Sequence, residues 1–398
     1  MNNKPWTAST IFVAVSIFFV ALNTRPAVTA IGPLFNVLMD ALQVSNTQMS
    51  LLTSIPVFCM GLFAPLAVPL QKRLSPKSSI LLLLIIIVIA NGLRFITESY
   101  LLLVVTSFAA GFAIGVIGPI INAYIKEKFP SRFTTVVGVY SFGIGTGAML
   151  SAGLTVPIYN AFDKSLTIAI GSWTVLAIAA VVIWQLAIPK EQVEMPNASA
   201  TVHGTVRNPW KNGRAWIILL FLGLQTSLFF AMMSWLPAML QDKGFSLMLA
   251  SSVLTFMALV QMAGNISITL LMEKWPNRIA WALGLGILGV IGFALLWVGT
   301  GFMLWIAVFI IGVVLSGLFP IALLLPLDEA TNTEEANSWS SMVLSGGFMM
   351  SALLPLVVGY FYDKTASHNI TYAIYIILML GVIGSVLVLK KSKRHATK

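Results

Sequence analysis

Apolar runs separated by short polar breaks follow one another along the whole chain. A helix crosses the roughly 30 Å hydrocarbon core of a bilayer with about 20 apolar residues. Twelve segments reach that length, near 8–39, 46–71, 78–97, 101–126, 133–161, 166–188, 214–241, 247–272, 279–299, 303–327, 335–362 and 370–389. The breaks between them are polar or turn-rich, as at Asp40 to Ser45, Lys72 to Lys77, Thr97 to Tyr100, Lys128 to Arg132 and Asp163 to Ser165. The longest break, 189–213, is rich in Pro, Asn, Thr and charge and divides the helices six and six. The pattern predicts an all-α membrane protein of twelve transmembrane helices in two pseudo-symmetric six-helix bundles. These are an N-terminal bundle over 1–188, a cytoplasmic linker over 189–213, and a C-terminal bundle over 214–398 ending in a basic cytoplasmic tail.

The two halves repeat each other. Moved by 200, residues 147–165 (GAMLSAGLTVPIYNAFDKS) fall on 347–365 (GFMMSALLPLVVGYFYDKT), with 7 of 19 positions identical, including Asp163-Lys164 on Asp363-Lys364. A shift of 202 lays Leu22-Asn23-Thr24 on Leu224-Gln225-Thr226 and Asp40 on Asp242; a shift of 201 lays Lys72 to Lys77 on Glu273 to Arg278. Three nearly constant offsets, in helices and loops together, point to a duplicated six-helix unit. Such duplicated bundles place a solute site between their halves near the bilayer midplane and rock about it.

Composition supports this reading and removes rivals. The chain is 58% hydrophobic and 9% charged, against roughly 25% charged in soluble domains, too few charges to cover a water-facing surface. The formal net charge of +10 does not mark a nucleic-acid binder, because its location follows the positive-inside pattern. With the N-terminus inside, 18 of the 23 Lys and Arg fall on the inner side and three (Lys164, Lys243, Lys364) on the outer. Both termini are therefore expected in the cytoplasm. The first apolar stretch is too long for a cleavable signal and is read as a retained helix. Cys59 stands alone, so no disulfide framework exists, and His203, His368 and His395 sit in predicted loops or tails, so no metal site is expected. No cofactor motif and no catalytic constellation is visible; a solute carrier, not an enzyme, is expected.

The two remaining cations, Arg25 and Arg94, lie inside predicted helices. A charge at the bilayer centre costs at least about 2.5–3.5 kcal/mol, so it normally faces a cavity or a partner. Arg25, midway along helix 1, is the leading candidate to ligate an anion, with a structural network as its alternative; Pro26 is expected to open the helix beside it. Arg94 either pairs with Glu98 or snorkels, or else lines the mouth of a cavity. The position equivalent to Arg25 in the second half is Ser227, so the cation comes from one half alone. Neutral hydrogen-bonding candidates are Gln225, Gln261 and Asn265, the last two four apart on one helix face, with Asn122, Tyr140 and Trp235; interhelical hydrogen bonding is the competing role. All 13 carboxylates map to loops or helix ends, which argues against cation antiport and against Mg²⁺–diphosphate chemistry. Gly111 and Gly115, and Gly143 and Gly147, form G-x-x-x-G pairs for close helix packing.

Twelve helices, the six-plus-six repeat and a basic loop after helix 2 resemble the major facilitator superfamily and imply its fold. The loop VPLQKRLSPKS matches the basic positions of G-x-x-x-D-R-x-G-R-R/K with Arg73 and Lys77, but Lys72 stands where Asp is expected. The second copy, MEKWPNR, has Glu273 in the acidic place and Arg278 after it. The resemblance makes Arg73, Lys77, Glu273 and Arg278 candidate gating residues. ALNTRPAVTAIGPL (21–34), LLTSIPVFCMGLFAPLA (51–67), GFAIGVIGPIINAYIKEKFP (111–130), VVGVYSFGIGTGAMLSAGL (136–154) and SWLPAMLQDKGFS (234–246) are similar to the cyanate and 2-nitroimidazole transporter family within that superfamily. This implies a multi-pass protein of the bacterial plasma membrane moving a small solute, with Arg25, and Asn23 of the same N-x-R-P stretch, at the solute site. The nitrate-porter signature is not matched in helices 5 and 11.

The sequence thus predicts a monomeric secondary transporter for a small, cyanate- or nitroimidazole-like solute, with an anion as the leading class, working by alternating access. Proton coupling stays open, since no carrier residue is visible and a weak-acid solute would carry the proton itself. The alternatives are an exporter of neutral or aromatic toxic compounds and a non-transporting sensor or lipid-handling protein.

Overall fold

The computed structural model describes residues 7–96, 99–188, 208–330 and 333–396. Twelve helical spans among them are long and apolar enough to cross a membrane: Ala8–Leu42, Asn46–Gln71, Pro76–Leu93, Tyr100–Lys128, Thr135–Ala161, Leu166–Ala187, Gly213–Asp242, Leu247–Lys274, Arg278–Val298, Phe302–Glu329, Glu335–Thr365 and Asn369–Lys391. They are numbered here as spans 1 to 12, and each coincides with a sequence-predicted segment to within a few residues. Most of the predicted linker (189–207), Glu98, His203 and the end of the basic tail lie outside the described residues.

Helix starts follow local chemistry. Ser45 opens span 2 with a capping box: its hydroxyl accepts from Gln48 N and Gln48 Oε1 accepts from Ser45 N, closing two donors that a helix start leaves open. Ser165, Asn212, Ser246 and Asn277 cap spans 6, 7, 8 and 9 through side-chain oxygens. Gln43, at φ 52°, ends span 1 in the left-handed region.

Span 1 is not one helix. It runs as Ala8–Leu22, a break at 23–25, Pro26–Thr29, a 3₁₀ turn Gly32–Leu34 and Phe35–Leu42. Pro26 has no N–H to give Leu22, so the helix opens one turn upstream, as the sequence predicts. Polar side chains fill the gap: Thr24 Oγ1 donates to Ala21 O at 2.7 Å, and Asn23 Nδ2 donates to Phe19 O at 2.8 Å and to Leu176 O of span 6 at 3.0 Å. Buried in apolar surroundings, an open carbonyl without such a donor would be costly.

Packing without water rests on close approach. A Cβ at Gly143 or Gly147 would strike the Phe18 or Leu22 carbonyl of span 1, and one at Gly111 or Gly115 would strike the Pro56–Met60 backbone of span 2. The two G-x-x-x-G pairs are therefore docking grooves for the broken helix and its neighbour.

Alternate ends of the spans define two faces of the bundle. One carries Asp40, Asp163, Asp242 and Asp363 and is termed the Asp end; the other carries Lys72 to Lys77, Lys128, Arg214 and Arg278 and is termed the basic end. The halves touch through span 2 against span 11 and span 5 against span 8. The contacts run from the middle to the Asp end: Gly61 against Ser345 and Met349, Gly145 against Met262, Ser251 Oγ donating to Ala152 O at 2.7 Å, and Gly359 against Asn46. At the basic end each half is tied within itself, the first by Lys77 donating to Gln185 O at 3.1 Å and the second by Arg214 to Glu329 at 2.6 and 2.8 Å and by the Arg278–Asp328 pair.

Candidate functional site

Arg25 heads the short helix Pro26–Thr29, and its carbonyl accepts from Val28 N, Thr29 N and Thr29 Oγ1, each at 2.9 Å. Thr29 is bonded in turn to Ser151 Oγ of span 5 at 2.5 Å. The backbone that carries Arg25 is thus fixed from both sides. Its side chain crosses to the other half, where the guanidinium carbon lies 5.5 Å from the ring centre of Phe229 and 5.4 Å from that of Phe230 on span 7. The two rings meet edge to face at 5.0 Å, and Phe230 meets Phe348 of span 11 at 6.3 Å. Ring faces attract a cation. They do not accept its hydrogen bonds, and Nη1 of Arg25 is buried with no partner.

Among the buried polar atoms of the second half without hydrogen-bond partners are Gln261 Nε2 and Asn265 Oδ1 of span 8. Their direction follows from helical spacing. Ser252, Leu259, Ala263 and Ile266 form the exposed strip of that span. Val260 and Gly264 meet span 10, and Thr255 and Met262 meet span 5. Gln261 and Asn265 occupy the remaining, interior sector, on one face as the sequence predicts. Span 5 gives their depth. Leu22 lies against Gly147 and Thr29 is bonded to Ser151, so Arg25 is level with the residues between 147 and 151. Gly145 lies against Met262 and Gly153 against Thr255, which puts the same level near residues 258–259 of span 8. Gln261 is then roughly 4 Å nearer the basic end than Arg25, with Asn265 a turn beyond. In native interiors nearly every buried polar atom has a partner; Arg25 and Gln261 leave theirs unpartnered from opposite halves at neighbouring depths, with Asn265 further towards the basic end.

The other sequence candidates separate from this group. Tyr140 is buried, with its hydroxyl beside Gly118 and within electrostatic reach of Arg25. Asn122 is exposed near the basic end of span 4. Gln225 is buried and turned along its own helix, donating to Thr226 Oγ1 at 2.8 Å. Three of the candidates have hydrogen-bonding groups engaged with protein. Asn23 spends its amide N–H groups on the Phe19 carbonyl at the helix break and on Leu176 O of span 6. Arg94 is 1% exposed and fully engaged with protein: Nε donates to Thr106 Oγ1, Nη1 to Ala27 O and Nη2 to Ser107 Oγ, each at 3.2 Å. It clamps the far side of the span 1 break. Trp235 is 0% exposed, donates to Pro355 O at 3.2 Å and packs tilted against Phe35 and Tyr362 and edge to face against His368 in an aromatic plug at the Asp end.

The gating candidates divide in the same way. Arg73 and Glu273 are exposed. Lys77 is buried and donates to Gln185 O at 3.1 Å and to Ile188 O, sealing the carbonyl end of span 6. The carboxylate paired with Arg278 is Asp328, not Glu273. Glu335, read from sequence as a helix-end carboxylate, is 0% exposed. His368, expected in an open loop, is also buried. Its Nε2 is 3.5 Å from Asp242 Oδ2, and burial pushes its pKa down to about 4. The carboxylate favours the imidazolium and burial opposes it. Burial prevails because Asp242 is 39% exposed and already holds the Tyr362 hydroxyl at 2.7 Å. Among the described residues no three His, Cys, Asp or Glu side chains come together as a metal site.

Phe229 and Phe230 escape the sequence reading. In a helix of mean apolar character, a phenylalanine that faces the other half looks like a lipid-facing one, and only contact with Arg25 tells them apart.

The description Major Facilitator Superfamily matches residues 12–352 of the chain. The cyanate transport protein CynX of Escherichia coli (strain K12) is 26% identical over 370 residues, covering 92% of this chain and 94% of that protein. The 2-nitroimidazole transporter of the same organism is 25% identical over 371 residues, covering 90% of each chain. The uncharacterized transporter YycB of Bacillus subtilis (strain 168) is 27% identical over 377 residues, covering 94% and 92%. Among solved structures, the nucleoside transporter NupG superposes with a TM-score of 0.75 at 13% identity, covering 97% of this chain and 99% of that one. A D-xylose-proton symporter superposes with a TM-score of 0.74, also at 13% identity, covering 95% and 97%. At these identities the structural likeness carries the fold alone.

Proposed function

The chain belongs to the major facilitator superfamily of multi-pass membrane transporters, and we propose on that premise that it is a secondary transporter of a small anionic solute bound at Arg25. The observation that carries the proposal is Nη1 of Arg25, a buried cationic donor that the protein leaves unbonded where the two halves meet. An anion there would satisfy the donor and balance a charge that is otherwise costly in a low-dielectric setting. Gln261 and Asn265 would orient the solute from the opposite half. The relatives named for cyanate and 2-nitroimidazole suggest a small, flat solute.

The distribution of basic residues supports a basic end that faces the cytoplasm, with both termini on that side of a bacterial plasma membrane. Cross-half contact at the Asp end then corresponds to closure on the outer side, one half of an alternating-access cycle. The chain would work as a monomer, since each half supplies part of the site. A weak-acid solute would bring its own proton.

Thermal stability of purified protein against a series of small anions tests the proposal, with Arg25→Gln in parallel, because ligand that binds the native state raises its stability by mass action. Particular anions are expected to stabilise the wild type and not the variant. The Phe229, Phe230 and Phe348 rings favour a second reading, export of neutral aromatic compounds. That reading takes over if neutral aromatics stabilise both proteins equally and anions stabilise neither.

A further inference from the structure

The duplicated Asp-Lys pair that helps reveal the two halves has different surroundings in each. Asp363, at the end of span 11, reaches the first residues of span 2 in the opposite half. One carboxylate oxygen accepts from Asn46 N and Asn46 Nδ2, both at 2.9 Å; the other accepts from Thr47 N at 2.9 Å and Thr47 Oγ1 at 2.6 Å. Ser45 already serves the next helical N–H, at Gln48. Asp363 therefore completes, from across the molecule, the cap of a helix whose positive dipole end it faces. Gly359, one turn earlier, lets span 11 lie directly on Asn46 and Ser50. Tyr362, next to Asp363, holds Asp242 of span 7 at 2.7 Å, so span 11 is anchored to its own half while its aspartate grips the other. Asp163 of the first half, at φ 50°, makes no hydrogen bond or ion pair among the described residues, and nothing caps span 8 from across the interface.

We propose that Asp363 is a one-sided latch that holds the Asp end shut, and that its repeat, Asp163, has no such role. The latch rests on the reading that the halves rock. All four bonds are charge-assisted and lie near the surface, so when spans 2 and 11 separate, water can solvate both the carboxylate and the open helix end. Closure at this end is then set by one carboxylate, and the conformational balance of the whole carrier is tuned from a position far from Arg25.

The test uses full-length protein reconstituted in lipid vesicles with Cys59→Ala and Ser50→Cys. Ser50 is 0% exposed and lies beneath Gly359 on the closed interface, so a hydrophilic maleimide reaches a cysteine there only after the end opens. Asp363→Asn is expected to raise the labelling rate about tenfold, the loss of roughly one charged hydrogen bond's net worth. Thr47→Val, which removes the shortest of the four bonds and keeps the charge, should raise it about two- to threefold, roughly half that effect in free energy, and decides the matter if the asparagine variant does not fold. Asp163→Asn should leave it unchanged. Equal labelling in the parent, Asp363→Asn and Thr47→Val proteins would overturn the latch and leave rocking intact. No labelling in any of them, with solute still crossing the membrane, would overturn the rocking itself. A rise for Asp163→Asn as large as for Asp363→Asn would overturn the asymmetry.

Discussion

Arg25 and Arg94 are the same side chain under the same electrostatic pressure, and the structure resolves that pressure in opposite ways. Arg94 gives all three nitrogens to protein oxygens; Arg25 gives its face to two rings and keeps Nη1 unbonded. Their variants should differ accordingly. Arg25→Lys is expected to weaken solute binding at least tenfold in a titration while the protein stays folded, because a point charge does not replace a planar fork. Arg94→Gln should lower thermal stability, by roughly 1–3 kcal/mol for the acceptors it strands, and leave the affinity of the folded protein near wild type. Equal loss of affinity in both would mean that Arg94 also reaches the solute. The sequence marks both arginines as buried cations, since hydropathy locates depth. It cannot say which has partners, because Ala27, Thr106 and Ser107 are brought to Arg94 by the break in span 1 and by span 4.

At the scale of elements, the break at 23–25 is legible beforehand from Pro26. What seats the broken helix is the groove at Gly143 and Gly147. Gly147→Leu would force a side chain into the Leu22 carbonyl. Overpacking of this kind costs about 1–3 kcal/mol or more and should appear as a lower thermal midpoint with Arg25-dependent binding weakened as well. The loop between spans 11 and 12 behaves unlike a solvated connection. Its His368 is buried neutral, with a folded pKa near 4 against about 6.5 in the unfolded chain. A histidine with a depressed folded pKa takes up protons more readily when unfolded, so stability is unaffected above about pH 6.5 and falls as pH drops from there towards 4. Thermal melts of His368→Gln across pH 4 to 8 should lose that acid-side decline relative to wild type; an unchanged slope would place the acid sensitivity elsewhere.

On the scale of the whole molecule, the two halves make their cross-contacts from the middle to the Asp end. Span 5 against span 8 offers a direct check. A Cβ at position 153 would lie 3.7 Å from Thr255 Cβ, within the Cβ–Cβ range of a disulfide. The pair Gly153→Cys and Thr255→Cys, in a Cys59→Ala background, is expected to cross-link under mild oxidation and stop solute flux, with flux restored by reductant. Cross-linking without loss of flux would show that this interface need not part.

By itself the sequence determined the number, order and approximate ends of the twelve spans, the duplication, and the depth of Arg25, because each rests on a one-dimensional quantity: the length of an apolar run, a constant offset, or a charge within such a run. Only the tertiary structure decided that Arg94, Asn23 and Trp235 are engaged with protein, that Phe229 and Phe230 face Arg25, and that Asp363 but not Asp163 crosses between the halves. Those outcomes depend on which helix faces meet. In a chain whose helices are apolar on most sides, that choice is made by close packing at glycines and by the pairing of a few polar atoms, neither of which leaves a period in the sequence.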